Sequence, residues 1–196
     1  MADSRMMPER SGARIENAFV LETPRLAMRE LRGSDAPFIL RLLNDPAWLR
    51  FIGDRGVRTV EGAREYLETR MIAMYARLGF GLWMVEPRAG GAPMGICGLV
   101  KRDQLPEVDL GFAFMPEFRG QGHAYESALA VRDHATRALG LRRLLAITSP
   151  ANADSVRLLE RLGFAREREM AWAGDEKDLV TVYAFGPRSS VARGAP

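Results

Sequence analysis

The spacing of apolar residues changes several times along the chain, and each change marks a predicted element. Residues 25–31 alternate charged and apolar side chains, which is typical of a half-buried strand. Two helical patterns follow, the first capped by Ser34 and Asp35 and ending before Pro46, the second starting at Thr59. Apolar runs between turn residues then predict a meander of three antiparallel strands over residues 80–86, 94–100 and 108–115.

The second half of the chain alternates strands with helices. A long helix presents apolar residues from Ala124 to Leu139 on one face and closes at a glycine. A strand over residues 141–148 comes next, and Asn152 is a natural N-cap for the helix that follows. The last predicted element is a hairpin formed by residues 164–172 and 179–185, with its turn at Gly174 and Asp175.

The predicted order β-α-α-β-β-β-α-β-α-β-β defines an α+β fold with a seven-stranded sheet and about four helices. A meander followed by a strand-helix-strand crossover implies a mixed, mostly antiparallel sheet. No repeat or Pro/Gly/Ser-rich linker divides the interior, so we expect one domain over residues 20–186. Residues 1–19 and 187–196 are polar and unpatterned, and we expect them to be flexible tails.

Most of the net charge lies outside this domain. The 196 residues include 28 Lys+Arg and 25 Asp+Glu, which gives a formal charge of +3. Residues 1–14 carry +1 and residues 187–196 carry +2, so the segment between them is neutral. Nucleic acid binding depends on a concentrated basic face, and no run of Lys and Arg occurs. We therefore expect no nucleic acid partner.

The composition also bears on compartment, membranes and metals. One cysteine, Cys97, excludes an internal disulfide and fits a reducing compartment. The apolar runs are shorter than the about 18 residues of a transmembrane helix, and the N-terminus lacks a secretory signal. Two His and one Cys hardly supply a metal cluster. We expect a cytoplasmic monomer or homodimer that binds neither a membrane nor a metal.

The strongest chemical signal is the junction between the strand over residues 108–115 and the next helix. Residues 119–124 read Arg-Gly-Gln-Gly-His-Ala and fit the pattern Arg/Gln-x-x-Gly-x-Gly/Ala. Unpaired N–H groups and the helix dipole at such a junction bind phosphate or pyrophosphate. Glycines at positions 120 and 122 let the backbone approach the anion, and Arg119 adds a positive charge. ATP or GTP is a weaker alternative, because the Walker pattern is absent.

Four segments place this loop in a known context. Residues 23–31, 95–99 and 109–112 resemble the opening strand, the central meander strand and the acidic strand before the cofactor loop of one family. Residues 152–164 match its Asn-x-x-Ser helix, which ends in Leu-Gly-Phe. The family is the GNAT superfamily of acetyl-CoA-dependent N-acetyltransferases, in particular its RimJ/RimL-like, ribosomal-protein-alanine branch. The resemblance implies the GNAT (acyl-CoA N-acyltransferase) fold.

The resemblance also implies where acetyl-CoA binds. A V-shaped opening is expected between the parallel strands over residues 108–115 and 141–148. Pantetheine would pair there with main-chain groups of Phe114 and Met115, and a nearby N–H would polarise the thioester carbonyl. The other implied cofactor-binding residues are Arg119, Gly120, Gln121, Gly122, His123, Ala124, Asn152 and Ser155.

Direct transfer of acetyl to an amine needs an acid for the departing thiolate and a base for the amine. We expect Ser155 to be the acid, with hydrogen bonding near the helix start or to CoA as the alternative role. Glu107 and Asp109 lie two residues apart, on one strand face, and either is a candidate base. Asp109 is preferred because it matches the acidic family position. Solvated charges at a strand edge are the alternative for both.

Several other side chains have two interpretations. His123 lies inside the phosphate loop, so we expect it to flank the anion or solvent instead of acting as a base. The aromatic residues Trp48, Phe51, Tyr75 and Trp83 could shape an acceptor pocket, although aromatics in these elements more often belong to the core.

The resemblance, together with the phosphate-binding loop, implies an acetyl-CoA-dependent enzyme. It would move acetyl directly to a primary amine, either a protein N-terminus or a small amine. A catalytically silent acyl-CoA-binding module is the alternative, because no residue is an unambiguous base.

Overall fold

Strands and helices follow one another along the chain in the computed structural model, which describes residues 19–172 and 175–187. The strands are β1 Phe19–Glu22, β2 Leu26–Glu30, β3 Leu82–Pro87, β4 Gly95–Val100, β5 Asp109–Phe114, β6 Leu144–Thr148, β7 Ala165–Trp172 and β8 Asp175–Phe185. The helices are α1 Ala36–Leu43, α2 Pro46–Phe51, α3 Val60–Tyr66, α4 Ala73–Leu78, α5 His123–Arg137 and α6 Ala153–Arg161. A π-helical segment, Leu67–Ile72, joins α3 to α4.

One mixed sheet contains all of these strands in the order β1-β2-β3-β4-β5-β6-β8-β7. Neighbouring strands pair antiparallel except β5 and β6, which are parallel. The predicted α+β architecture is confirmed, with eight strands in place of seven. The additional strand, Phe19–Glu22, pairs with β2, so the sheet begins one residue before the predicted domain boundary.

The sequence predicted that the first helix ends before Pro46, and the structure has a second helix, α2, that begins at this proline. Pro46 was expected to mark the end of a helix, but it also fits the first turn of α2, where its missing N–H is not needed. Asp45 caps this helix, because its Oδ2 accepts hydrogen bonds from the N–H groups of Ala47 at 3.0 Å and Trp48 at 3.2 Å. One buried carboxylate therefore fixes where α2 starts.

Apolar side chains of the sheet alternate between two cores, one on each face. Trp83 and Val85 pack in the core that includes α5 and α6, while Met84 packs in the core that includes α1. This alternation is the period of two that a strand imposes. The buried face of α5 includes Ala128, Val131 and Ala135, as predicted. Leu139 is 37% exposed, because α5 ends before it.

Some predictions fall outside these elements. Residues 1–18, Gly174 and residues 188–196 lie outside the described residues, so the two tails and the hairpin turn stay predictions. Among the described residues, no helix is both long and apolar enough to cross a membrane. The same residues contain no group of three or more His, Cys, Asp or Glu placed to hold a metal. Cys97 is buried, which raises the pKa of its thiol to about 12.

Candidate active site

Strands β5 and β6 touch at one end and then separate. In the described part of the chain they form a single pair, Asp109 with Leu145, and the Leu145 N–H donates to the Val108 carbonyl at 2.9 Å. By contrast, β5 pairs along its whole length with β4, and β6 does so with β8. The separated edges face a gap, and residues on both sides of it line a cavity of about 810 Å³.

The hydrogen bonds of β5 decide which of its main-chain groups face this gap. The Met115 N–H donates to the Met94 carbonyl at 3.0 Å, toward β4. Successive residues of a strand direct their main-chain groups to opposite edges. Phe114 and Phe112 therefore direct theirs toward the gap, as Val108 does where its carbonyl binds β6. Of the two residues expected to pair with the cofactor, Phe114 faces the gap, whereas the N–H of Met115 is used within the sheet.

The chain leaves β5 through a loop that ends at the start of α5. Gly120 and Gly122 have φ angles of 72° and 81°, a left-handed conformation that strains any residue with a Cβ. No main-chain carbonyl of the described residues accepts the N–H groups of Gly122, His123 or Ala124, as expected at a helix start. The loop thus offers unpaired donors at the positive end of a helix dipole, an arrangement that binds phosphate groups.

Arg119 lies beside this loop, but its charge is not free. Its Nε donates to the Phe114 carbonyl at 2.9 Å, and its Nη2 donates to Oδ2 of Asp45 at 2.6 Å. The Asp45 side chain is only 3% exposed, so a buried carboxylate balances the guanidinium. Arg119 therefore ties the loop to the end of β5 and to the start of α2. Its contact with a phosphate stays a prediction.

The turn between β1 and β2 holds the loop from the other side. Glu126, in the first turn of α5, accepts hydrogen bonds from Thr23 Oγ1 at 2.5 Å and from Arg25 Nε at 2.6 Å. Arg25 also donates from Nη1 to the Gln121 carbonyl at 3.0 Å. Burial by itself raises the pKa of Glu126, but the hydrogen bonds from Thr23 and Arg25 outweigh it and lower that pKa.

The start of α6 faces the same cavity from the side of β6. The predicted N-cap is confirmed, since Asn152 Oδ1 accepts a hydrogen bond from the Ser155 N–H at 3.2 Å. Asn152 and Ser155 both line the cavity and are half-buried. The Ser155 hydroxyl has no hydrogen-bond partner among the described residues, so it is available to a ligand in the gap.

The two predicted bases lie in different surroundings. Because β5 begins at Asp109, Glu107 precedes the strand, pairs with Arg143 at 3.6 Å and does not line the cavity. Asp109 lines the cavity with its side chain 1% exposed, and both carboxylate oxygens lie 3.1 Å from Arg102 Nε. Burial raises the pKa of Asp109, although Arg102 opposes this shift. Glu107 therefore lies away from the cavity, whereas the role of Asp109 as a base stays a prediction.

The remaining candidates divide between the cavity and the core. His123 lines the cavity, with Nδ1 lying 3.3 Å from a loop carbonyl. Trp48 and Phe51 line it as well, and the buried indole N–H of Trp48 has no partner among the described residues. Tyr75 and Trp83 pack in the core instead of lining the cavity.

Several side chains of the cavity wall were missed by reasoning from the sequence, and three of them matter for the chemistry. They are Arg102 from the β4–β5 loop, Tyr125 from α5 and Trp172 from the end of β7. One usable signal existed for the first of them. An acid such as Asp109, at the start of an apolar strand, needs a cationic partner when buried, and the nearby Arg102 satisfies that need.

Comparison with known proteins defines the class to which this fold and cavity belong. A family model described as the acetyltransferase (GNAT) domain matches residues 25–165, more than half of the chain. The chain therefore belongs to the GNAT acetyltransferases, and the predicted family is confirmed. Within the described part of the chain, the eight-stranded sheet with its separated parallel pair provides the fold of that family.

Individual relatives agree with this assignment. YoaA of Bacillus subtilis (strain 168), named an N-acetyltransferase, is 29% identical over 151 residues, 76% of this chain and 84% of YoaA. An acetyltransferase structure from Agrobacterium tumefaciens str. C58 has a TM-score of 0.71 and 26% identity, covering 85% of this chain and 94% of that one. RimL, a ribosomal L7/L12 α-N-protein acetyltransferase solved with coenzyme A, has a TM-score of 0.72 at 21% identity, and the match covers 86% of this chain and 97% of the RimL chain. The likeness to RimL is one of fold.

Proposed function

We propose that this protein is an acetyl-CoA-dependent N-acetyltransferase that moves acetyl directly to a primary amine in a ternary complex. The acceptor is a protein N-terminus or a small amine. The observation that carries the proposal is the separation of β5 from β6 beyond one residue pair, which leaves main-chain groups facing a large cavity. Family membership supports the choice of acetyl-CoA as donor.

The residues of the gap and the loop fit the chemistry of CoA. Main-chain groups of Phe112 and Phe114 suit the amides of pantetheine, which needs hydrogen bonds along an extended chain. The N–H groups of residues 122–124, which no main-chain carbonyl of the described residues accepts, suit the pyrophosphate, and the left-handed glycines keep side chains out of its way. Asn152 and Ser155 line the same cavity at the start of α6, which supports a contact of both with the same molecule. Arg119 acts mainly by holding the loop in place.

The reaction requires few protein groups, because acetyl-CoA supplies an activated thioester. The amine nitrogen forms a bond to the carbonyl carbon, and the C–S bond breaks. A gap-facing main-chain N–H of β5, at Phe112 or Phe114, stabilises the developing oxyanion, and the Ser155 hydroxyl donates a proton to the departing thiolate. We assign the proton lost by the amine to water, since Asp109 is held by Arg102 and Glu107 lies away from the cavity.

Release of free thiol from acetyl-CoA, measured with a panel of amines, tests this function. We expect thiol release that depends on the amine, and replacement of Ser155 by Ala should lower kcat by about a hundredfold with little change in the KM for acetyl-CoA. Tyr125→Phe is the matched control, because it removes another hydroxyl from the cavity wall. Equal losses in kcat and in CoA affinity for Ser155→Ala would make Ser155 a binding residue.

A silent acyl-CoA-binding module is the second candidate function. It is favoured by the pairing of cavity carboxylates: among the described residues, Asp45, Asp109 and Asp154 line the cavity, and each contacts an arginine. Tight binding of CoA without thiol release across the whole amine panel would support the module and reject the enzyme.

A further inference from the structure

Three side chains form a cluster in the cavity wall near the point where β5 and β6 meet. The carboxylate of Asp109 is buried and binds Nε of Arg102 through both oxygens at 3.1 Å. The guanidinium of Arg102 lies 5.6 Å from the ring centroid of Trp172. The buried acid and the aromatic ring together hold the guanidinium in one orientation, which lowers the entropic cost of using it in binding.

The cluster lies at the opposite end of β5 from the phosphate-binding loop. Asp109 is the first residue of β5 and Phe114 is the last. At about 3.3 Å per residue, the two ends are separated by about 17 Å. The gap between β5 and β6 closes at the pair formed by Asp109 and Leu145. Under the proposed function, the amine and the thioester meet toward this closed end.

Within the described part of the chain, most of the hydrogen-bonding capacity of Arg102 is unused. A guanidinium has five N–H donors, and Asp109 engages Arg102 through Nε. Nη1 and Nη2 donate to no other described residue, although Arg102 lines the cavity with its side chain 28% exposed. Lys101 adds a second positive charge near Asp109. The free edge of a guanidinium matches the two oxygens of a carboxylate.

We propose that Arg102 is a specificity-determining residue that binds a carboxylate of the acceptor. The preferred substrates are then primary amines that carry a carboxylate, either the α-carboxylate of a free amino acid or the acidic side chain near the N-terminus of a peptide. Asp109 and Trp172 are positioning residues that orient Arg102. The inference rests on the proposed function, because it names the substrate class of that same site.

The test compares matched acceptors that differ only in the carboxylate. One arm pairs free amino acids with their carboxamides, and the other pairs C-terminally amidated peptides beginning with Asp or Glu with those beginning with Asn or Gln. We expect wild-type kcat/KM to favour the carboxylate member by about tenfold or more in one arm, which identifies the source of the carboxylate.

Variants at Arg102 show whether this residue causes the preference. Arg102→Gln should remove it, lowering kcat/KM for carboxylate acceptors by about tenfold or more while leaving carboxamide acceptors and the KM for acetyl-CoA nearly unchanged. Because that change leaves Asp109 buried without its partner, the double variant Arg102→Gln/Asp109→Asn keeps a hydrogen-bonding pair without charge and should give the same result. Arg102→Lys, which lacks the forked geometry, should recover only part of the preference.

The failures of the two proposals are distinguishable. Turnover of amines without preference for the carboxylate members, or equal losses for both members in Arg102→Gln, would overturn the inference and leave the acetyltransferase in place. Binding of CoA without turnover of any amine would overturn the acetyltransferase, and the inference with it.

Discussion

Strand β5 has an arginine bound to a buried aspartate at each of its ends, and the two pairs differ in what they leave free. At the loop end, Arg119 uses Nε on a main-chain carbonyl and Nη2 on Asp45. At the closed end, Arg102 uses Nε on Asp109 and keeps both Nη groups unbound among the described residues. The same residue types therefore fasten the protein at one end and offer donors to a ligand at the other.

The comparison suggests a division of recognition within one cavity. Under the proposed function, main-chain N–H groups bind the donor at the loop end, and such groups do not depend on side-chain identity. At the closed end, the side chains of Arg102 and Trp172 line the wall, so recognition of the acceptor there follows the sequence directly. One fold can thus keep its donor while relatives differ in their acceptors. Three predictions test the loop end of this comparison.

The largest effect is expected from Arg119→Ala. It removes a hydrogen bond to β5 and leaves Asp45 buried without its cation, which should cost about 2 kcal/mol of unfolding free energy and lower CoA affinity by about tenfold or more. Calorimetry with and without CoA measures both quantities. Arg157→Ala is the control, because its pair with Asp154 lines the same cavity at an exposed position and should contribute little. A loss of CoA affinity with unchanged stability would indicate that Arg119 binds the phosphate directly.

A smaller effect is expected from Gly122→Ala. Its φ of 81° disfavours a Cβ by about 1–2 kcal/mol, and the Cβ would lie 3.3 Å from Arg25 Nη2. The loop should shift and raise the KM for acetyl-CoA by about tenfold. Gly140→Ala is the control, because Gly140 lies beyond the other end of α5. Its φ of 66° imposes a similar strain, and the space around the added Cβ is open. Steady-state kinetics should show the higher KM for acetyl-CoA in Gly122→Ala alone. Equal increases of this KM in the two variants would contradict the proposed role of the loop in binding acetyl-CoA.

The smallest effect is a pH dependence at Glu126. Its pKa is lowered below the ordinary value of 4.5, so its stabilising contribution is complete above pH 4.5 and is lost as the pH falls through its lowered value. Glu126→Gln should therefore lower Tm at pH 7 by about 2–4 °C, and this difference should shrink below pH 4.5. Thermal melts at several pH values measure it. A difference that stays constant with pH would show that the charge of Glu126 does not support the loop.

Reasoning from the sequence succeeded where the determining contacts are local. The cap at Asn152, the buried face of α5 and the glycine loop depend on residues within a few turns of one another. It failed for α2, because Pro46 is compatible with both the end of one helix and the start of another. It also could not choose between Phe114 and Met115 as the main-chain donor of β5, since the edge that Met115 faces is set by its pairing with Met94.

The sequence by itself determined most of the elements and the loop that suits a pyrophosphate, because these follow from periodicity and from glycines at fixed positions. Its resemblance to known motifs indicated the family. Only the tertiary structure decided the partners of the charged residues. Arg119 meets Asp45 across 74 residues, and Arg102 stacks on Trp172 of a distant strand. A charge has no preferred partner until the fold sets distances and removes water. Burial and proximity therefore made Asp109 a support for Arg102 and left Nη1 and Nη2 of Arg102 without a partner among the described residues at the closed end of the gap.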